Sequence, residues 1–595
     1  MNNILSFDSV FIVNPLRKIY ILIVKKILDR KESGRHQLIL YRLDQENILI
    51  RDPSNISGMA TGLHQHHIDA MSINFYKYLE NSLDCSTLSI KNLELYKLYT
   101  RQVKLKLAGI LKCAYRIKNL TTQDEKEIEI ITDRQTISIL KEAFLFLEYK
   151  PNNIVWKASG QLTACITINS FVMRLAAMIK MLISRSNLPK EYYLKYLDSD
   201  NPTVLISMPR RRPEDFFVTY VEELGDKFNI ILYGHGPLEY VPKDYKILKV
   251  KRSLGVLRGL FHIKNLCRTA ESYVADILLI FSGHANLNTS IDVVNSIYTN
   301  KIDILINRQQ TNVIDNFLAI KAKNRGTFII GDVFEEIFYC DSAICSSKSQ
   351  HTESLNLALG DRGEVTYKGS SSLIKYRLKN FTNKQERYLH HLLEIEQHNK
   401  VIFYASDPVK EENQRYMTEK FLMSYFSGIK NLILVIKTHT QDDGKVTDYA
   451  FLDSASPSNI ILIGDVRQKS KIVSDRFKIF DSFDFNAAVS SSDGFLTASS
   501  SSILQALFLG VKSGIVDKFN NGNYDYLINY KATMLVNNKA SLKYFLDNKK
   551  LEISDDALSY CGLNDENTKF DLGKHLLTCL YEFQKTKKYD GVKSY

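Results

Sequence analysis

The sequence predicts two consecutive α/β domains with doubly wound, Rossmann-like sheets, preceded by an α+β accessory region. Three observations lead there. From Asn201 onward, short unbroken apolar runs alternate with helical stretches, as expected of strands buried on both faces of a parallel sheet. Two such series follow one another, separated by a helical segment at about 383–397. In the second series, polar loops rich in His, Lys or Ser follow two of the strands, where open parallel sheets bind ligands. The expected divisions are 1–198 for the accessory region, 199–385 for the first doubly wound domain and 386–595 for the second.

Length and composition agree with this plan. A chain of 595 residues is long enough for three or four domains at roughly 150 residues each. The hydrophobic share of 45% supports real cores, and only 11 prolines and 26 glycines argue against long disordered linkers. The formal charge is +12. Residues 1–120 hold 18 Lys/Arg and 10 Asp/Glu, and 18 − 10 gives +8 there. A basic front end suits a membrane surface, an acidic polymer or a nucleic acid, or is simply a solvated face. No paired-Cys zinc site or aromatic RNA-binding signature accompanies it, so no nucleic-acid partner is expected. The eight cysteines form no C-x-x-C pair and read as scattered buried thiols in a reducing compartment. Polar Asn2, Asn3 and Asp8 precede any apolar run, so no signal peptide is expected. No uncharged apolar run reaches about 18 residues, so no spanning helix is expected and the placement is cytoplasmic.

Residues 1–198 hold strand-like pieces at 9–13, 37–41, 48–50 and 127–131, and helical stretches at 93–117 and 136–147. The apolar segment 19–27 is flanked by Arg17, Lys18, Lys25 and Lys26, and the apolar segment 171–184 carries Arg174 and Lys180. Either lies in a membrane interface, with its cations reaching lipid phosphates, or the two are a core strand and a core helix. The cluster His64, His66, His67 and Asp69 offers metal-type ligands, but no second set completes a site, and it reads as a polar loop.

The first doubly wound domain has expected strands at 203–207, 229–233, 275–281, 302–306 and 327–330, closing near 365–369. Its first strand runs into Met208-Pro209-Arg210-Arg211-Arg212-Pro213-Glu214-Asp215. Glu214 or Asp215 would stand at a strand C-terminal end as a catalytic base; the alternative is that they cap the helix starting near Phe216. The arginines would hold an anionic acceptor. His235, between Gly234 and Gly236, is the second candidate base, since the glycines permit close substrate approach; it also fits a tight turn.

The second domain has expected strands at 401–404, 432–436, 460–463, 494–497 and 513–516, with helices at 413–426, 487–491 and 502–509. Lys437 and His439 follow the second of these strands and could contact a phosphate or carboxylate. At 493–510 a strand ends in Thr497, Ser499, Ser500, Ser501 and Ser502 turn the chain, and a helix begins. Helix-initial amides lack internal partners and carry partial positive charge, and small serines let a phosphate approach them. The alternative is an ordinary Ser cap, although four serines exceed what a cap requires.

The order strand-Lys-x-His, then Asp-Gly-Phe-Leu-Thr-x-Ser-Ser followed by Gln-Ala-Leu-x-Leu-Gly, resembles the C-terminal half of GT-B glycosyltransferases. It is most similar to bacterial capsule and surface-polysaccharide enzymes, sialyltransferase- or Kdo-transferase-like. The segments 340–347 and 365–370 are similar to the usual close of the N-terminal GT-B domain. The resemblance spans about 201–595 and implies two domains facing a cleft, acceptor side first and nucleotide-donor side second. It puts His439 in the place of the first motif's His, and Ser499 and Ser500 in that of the second motif. The implied donor site is Lys437, His439, Thr497, Ser499, Ser500, Ser501, Ser502 and Gln505, and the implied catalytic groups are Glu214, Asp215, His235 and His439.

The implied activity is metal-independent transfer of a sugar from a nucleotide-sugar to a surface polysaccharide or glycolipid. A CMP-linked acidic sugar is the first expectation for the donor and a UDP-sugar the second, with no cofactor beyond that substrate. Peripheral contact with an anionic membrane at its inner face, through the basic N-terminal region, is expected with it. Thr440 replaces the family's proline and Gln505 stands where Glu is common. These departures motivate the alternatives: a nucleotide-sugar epimerase of related fold, a polyol-phosphate transferase, or a non-catalytic scaffold in polysaccharide assembly.

Overall fold

The computed structural model describes residues 3–8, 36–43, 89–90, 93–94, 100–123, 128–183, 191–208, 220–234, 241–251, 287–307, 313–333, 340–345, 362–367, 387–406, 412–427, 429–438, 459–465, 477–480, 483–500, 502–519, 524–548 and 571–589, with further helical residues between 16 and 26 and between 71 and 79. The expected strands at 9–13, 48–50 and 275–281 lie outside the described residues.

The N-terminal region, read from sequence as α+β, carries a four-stranded sheet of order β1-β2-β5-β6 whose neighbours all run parallel. Its strands are β1 (Asn3–Asp8), β2 (His36–Leu43), β5 (Ile128–Thr132) and β6 (Ile154–Ala158). Parallel neighbours need crossover connections rather than tight turns, so helices must fall between them. A short antiparallel pair, β3 (Ser89–Ile90) and β4 (Leu93–Glu94), occupies the start of the stretch expected as a helix from 93. The helices are α1 (Thr100–Gln123), α2 (Arg134–Phe146) and α3 (Gly160–Ile183). In α1, Val103, Leu107, Ile110, Ala114 and Ile117 recur every three or four residues and are buried, which makes that face core. Asp133 starts α2 by accepting from the Thr136 amide at 3.0 Å.

The middle sheet has eight strands, in the order β10-β7-β9-β8-β11-β12-β13-β14. These are β7 (Glu191–Lys195), β8 (Thr203–Met208), β9 (Asn229–Gly234), β10 (Lys246–Lys249), β11 (Ile304–Asn307), β12 (Phe328–Val333), β13 (Cys340–Cys345) and β14 (Arg362–Tyr367). The six strands from β9 across to β14 are parallel, and β7 joins antiparallel to both β9 and β10. Because β7 belongs here, this sheet begins before residue 199. Alternate residues of the central strands enter two cores. Leu205 and Ile231 face one core, which is continuous with α1 and α2 and is covered by α4 (Leu287–Ile297) and α5 (Val313–Arg325). Val204, Ile206, Ile230 and Leu232 face the other.

The third sheet has seven parallel strands in the order β18-β17-β16-β15-β19-β20-β21. They are β15 (Lys400–Ala405), β16 (Leu432–Lys437), β17 (Ile460–Asp465), β18 (Phe477–Phe480), β19 (Gly494–Thr497), β20 (Ser513–Val516) and β21 (Met534–Val536). All five strands expected from sequence are present; β18 and β21 are short edge strands of four and three residues, with too little pattern to mark them. Helices α6 (Tyr388–Leu393), α7 (Glu412–Phe426), α8 (Phe485–Ser490), α9 (Ser502–Phe508) and α10 (Lys539–Asp547) accompany the sheet. Ile402 and Tyr404 pack into one core with α7 and α10, and Val401, Phe403 and Ala405 into the other with α6, α8 and α9.

The last helix, α11 (Leu572–Tyr589), packs on the middle sheet rather than on the third. Leu572, Leu576 and Leu580 join the core of Val204 and Phe228, and the Phe583 ring lies 5.0 Å from that of Phe328. The chain therefore passes between the two doubly wound domains twice, once before α6 and once before α11.

Candidate functional site in the third domain

From β15 the chain steps outward through β16, β17 and β18, then returns to lay β19 on the opposite side of β15. The reversal between β15 and β19 is a topological switch point, and the crevice beyond the strand C-termini there is where doubly wound sheets take ligands. The registers fix what stands on that edge. Ala405 pairs with Lys437 on one side and with Thr497 on the other, so these three residues form one row across the C-terminal end of the sheet. Residues of one row in a parallel sheet point to the same face. Lys437 and Thr497 thus share the face of Ala405, the side of α8 and α9, about 10 Å apart at two strand spacings.

Thr497 is fully buried, and its Oγ1 donates to the Ala405 carbonyl at 3.0 Å, locking the switch point. The same Oγ1 accepts from the Ser500 amide at 3.1 Å and so folds the serine turn back over the strand end. Ser500 Oγ and Ser502 Oγ share a 2.7 Å hydrogen bond, and the Ser502 amide donates to Ser500 Oγ at 3.3 Å. A serine side chain therefore caps one amide, that of Ser502, while the Ser500 amide is met by the Thr497 hydroxyl. Helix α9 has seven residues, so its dipole is small. An anion at this turn would be met chiefly by hydroxyls and by a side-chain cation. Ser499 is exposed, and its carbonyl accepts from Tyr524 Oη at 3.2 Å.

Lys437 is half-buried. Its ammonium lies 5.9 Å from the centre of the Phe483 ring and donates to the Thr438 carbonyl at 3.3 Å. Thr438 is buried, and its amide and Oγ1 both donate to Ile463 O, at 3.0 and 3.1 Å. Gln505 is turned toward α8, where its Nε2 donates to Asn486 Oδ1 at 3.5 Å. That contact ties α9 to α8, a positioning role beside the donor-binding one expected of it. His439 and Ser501 lie outside the described residues, as do Glu214, Asp215 and His235 in the middle domain. The cluster at 64–69 does too, and among the described residues no three His, Cys, Asp or Glu side chains converge as a metal site.

Two buried polar clusters at strand ends were not read from the sequence. Directly after β15, Ser406 Oγ donates to Glu419 Oε1 at 2.6 Å, and Arg415 Nε donates to the same oxygen at 3.1 Å. The signal was present: Arg415 and Glu419 stand four apart on α7, a charged pair on the face that also carries buried Leu422. In the middle domain, Ser207 near the end of β8 donates to the Asp315 carboxylate on α5, and Asn307 Nδ2 donates to the Asp315 carbonyl at 2.9 Å. Asp315, Ser207 and Asn307 are all buried. Burial, and then the Asp315 charge, push the nearby Tyr233 phenol above its ordinary range. This cluster joins β8 and β11, the strands on either side of the middle sheet's own switch point.

No family model matches this sequence, and comparison with curated proteins finds no match. Among solved structures, S. aureus MnaA in a co-structure with UDP is similar at a TM-score of 0.40 and 11% identity, over 65% of this chain and 97% of that one. The UDP-GlcNAc 2-epimerase of Methanocaldococcus jannaschii is similar at 0.39 and 11%, over 64% of this chain and 99% of that one. CalG4, the calicheamicin glycosyltransferase, is similar at 0.34 and 9%, over 65% and 99%. The two doubly wound domains are established by the strand orders and registers described above.

Proposed function

We propose that the chain is a GT-B-type glycosyltransferase that holds a nucleotide-sugar at the C-terminal edge of the third sheet. One observation carries this reading. The row Lys437, Ala405, Thr497 lies at a topological switch point with the Ser500–Ser502 hydroxyl turn folded over its end. Hydroxyl donors and a half-buried ammonium on one side of such an edge suit a diphosphate or phosphodiester, which needs charge neutralisation without a fixed counter-ion. In transfer, the bond from the sugar's anomeric carbon to the phosphate oxygen breaks and negative charge grows on the departing nucleotide. In this reading Lys437, the serine hydroxyls and, on the motif likeness, His439 stabilise that charge. The acceptor hydroxyl needs a base from the middle domain, and Glu214, Asp215 and His235 are the proposed groups. A CMP-linked acidic sugar is the first choice of donor and a UDP-sugar the second. The proposed acceptor is a surface polysaccharide or glycolipid.

The test is to incubate the chain with CMP- and UDP-sugars, with and without an oligosaccharide acceptor, and follow nucleotide release and sugar configuration. Acceptor-dependent release of nucleotide with a new glycosidic product is expected. A change of sugar configuration without acceptor would replace transfer with epimerisation. Binding without turnover would favour a scaffold, and no binding of any nucleotide would remove the reading altogether.

A further inference from the structure

Helix α3 has a stripe of exposed residues at Gln161, Ala164, Ile168, Phe171 and Leu175, spaced three and four apart on one face. Three of these are large and apolar: Ile168 is 52% exposed, Phe171 67% and Leu175 46%. The opposite side holds buried Leu162, Cys165, Ile166 and Asn169. The helical residues between 16 and 26 repeat the arrangement. Tyr20 is buried, with Leu16 and Ile23 half-buried beside it, whereas Ile19 is 50% exposed, Leu22 65% exposed, and Lys26 is exposed with them. On a helix Ile19, Leu22 and Lys26 are three and four residues apart and share one side. The two helical stretches are in contact, since Cys165 Sγ lies 3.8 Å from the Leu16 carbonyl oxygen. Five large apolar side chains are thus exposed on two touching helical stretches, beyond the scattered single residues usual on a soluble surface.

The charges select the occupant. Neither α3 nor the segment 16–26 contains an acidic residue, while Arg17, Lys18, Lys25 and Lys26 lie in the segment and Arg174 and Lys180 in the helix. A second copy of the chain docked on the same two stretches would offer them cationic and apolar residues but no acidic one. Among the described residues no helix is long and apolar enough to cross a membrane. Exposed apolar helical residues, in stretches whose only charged residues are cations and which are too short on hydropathy to span, suit a helix lying in the headgroup layer of an anionic bilayer. We propose that Ile19, Leu22, Ile168, Phe171 and Leu175 form a docking face for the surface of an anionic lipid bilayer. The face is outside the third domain, so its test is independent of nucleotide-sugar binding.

The experiment is flotation of the full chain with vesicles of phosphatidylcholine alone and of phosphatidylcholine with about a third phosphatidylglycerol. The unaltered chain should float with the anionic vesicles and much less with the neutral ones, and added salt should weaken the binding. Leu22→Glu and Phe171→Glu place a carboxylate on exposed positions, so folding is retained, which circular dichroism and thermal unfolding check. Each should lower partitioning roughly tenfold or more, with nucleotide binding unchanged. Absence of binding to anionic vesicles would overturn the proposal, as would binding that both substitutions leave intact. A concentration-dependent dimer abolished by Phe171→Glu, without vesicle binding, would assign the face to a second copy and also overturn it.

Discussion

The Thr497 hydroxyl donates to the Ala405 carbonyl at 3.0 Å, across the reversal of strand order in the third sheet. One side chain therefore joins β19 to β15 and, by accepting from the Ser500 amide, holds the serine turn over the same edge. Thr497→Val keeps the shape and removes both hydrogen bonds. Loss of stability of about 1–3 kcal/mol is expected by urea denaturation, because a buried carbonyl and an amide lose their partner. Thr497→Ser should recover most of it. Equal stability of the Val and Thr forms would show that the clamp is incidental.

The buried pair Arg415 and Glu419, with side chains only 6% and 3% exposed, is expected to behave differently when one partner is removed than when both are. Glu419→Gln should destabilise by roughly 3–5 kcal/mol, since it removes the negative charge that faces the buried Arg415 guanidinium at 3.1 Å. A double replacement, Arg415→Met with Glu419→Leu, should cost less than the sum of the two single changes. Additivity in a double-mutant cycle would contradict the coupling.

Gly494 and Gly514, on neighbouring strands, make room for the Phe545 ring of α10. A Cβ on Gly514 would come within 2.8 Å of Leu496 Cδ2 and 3.2 Å of Phe545 Cδ2. Gly514→Ala should therefore overpack this core and cost about 1–3 kcal/mol in thermal or urea unfolding. Phe545→Leu in the same chain should relieve part of the loss. A stabilising Gly514→Ala would refute the steric account.

Alkaline stability follows from Cys113. Burial in α1 pushes its thiol up to about 12 from 9.0, with the Arg116 charge acting in the opposite direction. A raised pKa in the folded chain gives a contribution that is complete below pH 9 and is lost as pH climbs toward 12, because only the unfolded chain releases the proton in that window. The slope is roughly 1.4 kcal/mol per pH unit for one such group. Tyr245 and Tyr298, whose phenols are also raised by burial, steepen the loss above pH 10. Cys113→Ala should show a shallower fall in urea midpoint between pH 9 and 10 than the unaltered chain. Parallel curves would exclude the thiol as the source.

Much of this architecture was legible in the amino acids. The runs 401–404 and 432–436 are apolar on every residue, as a strand covered on both faces requires, and they form the adjacent strands β15 and β16 inside the third sheet. The turn between β19 and α9 was also legible as a turn, because four consecutive serines follow a buried strand and precede a helix. What was not legible depended on partners far apart in sequence. Nothing in the segment 36–43 or 128–132 says that the strands pair in parallel, so the N-terminal region read as α+β. The return of α11 to the middle sheet is set by Phe228 and Phe328, more than 240 residues before it. Ser406 gained meaning only from Glu419 and Arg415, and the bond from the Thr497 hydroxyl to the Ala405 carbonyl joins residues 92 apart in sequence.

The central claim is that Lys437 and the serine turn receive the phosphates of a nucleotide. Its most direct measurement is the affinity of UDP and CMP for the unaltered chain and for Lys437→Met, by isothermal titration. A charge-assisted contact of this kind is worth about 1.5–3 kcal/mol, so binding should weaken roughly tenfold to a hundredfold while the unfolding midpoint stays within about 0.5 kcal/mol of the original. Nucleotide binding that Lys437→Met leaves unchanged would contradict the claim, and so would a chain that binds neither nucleotide.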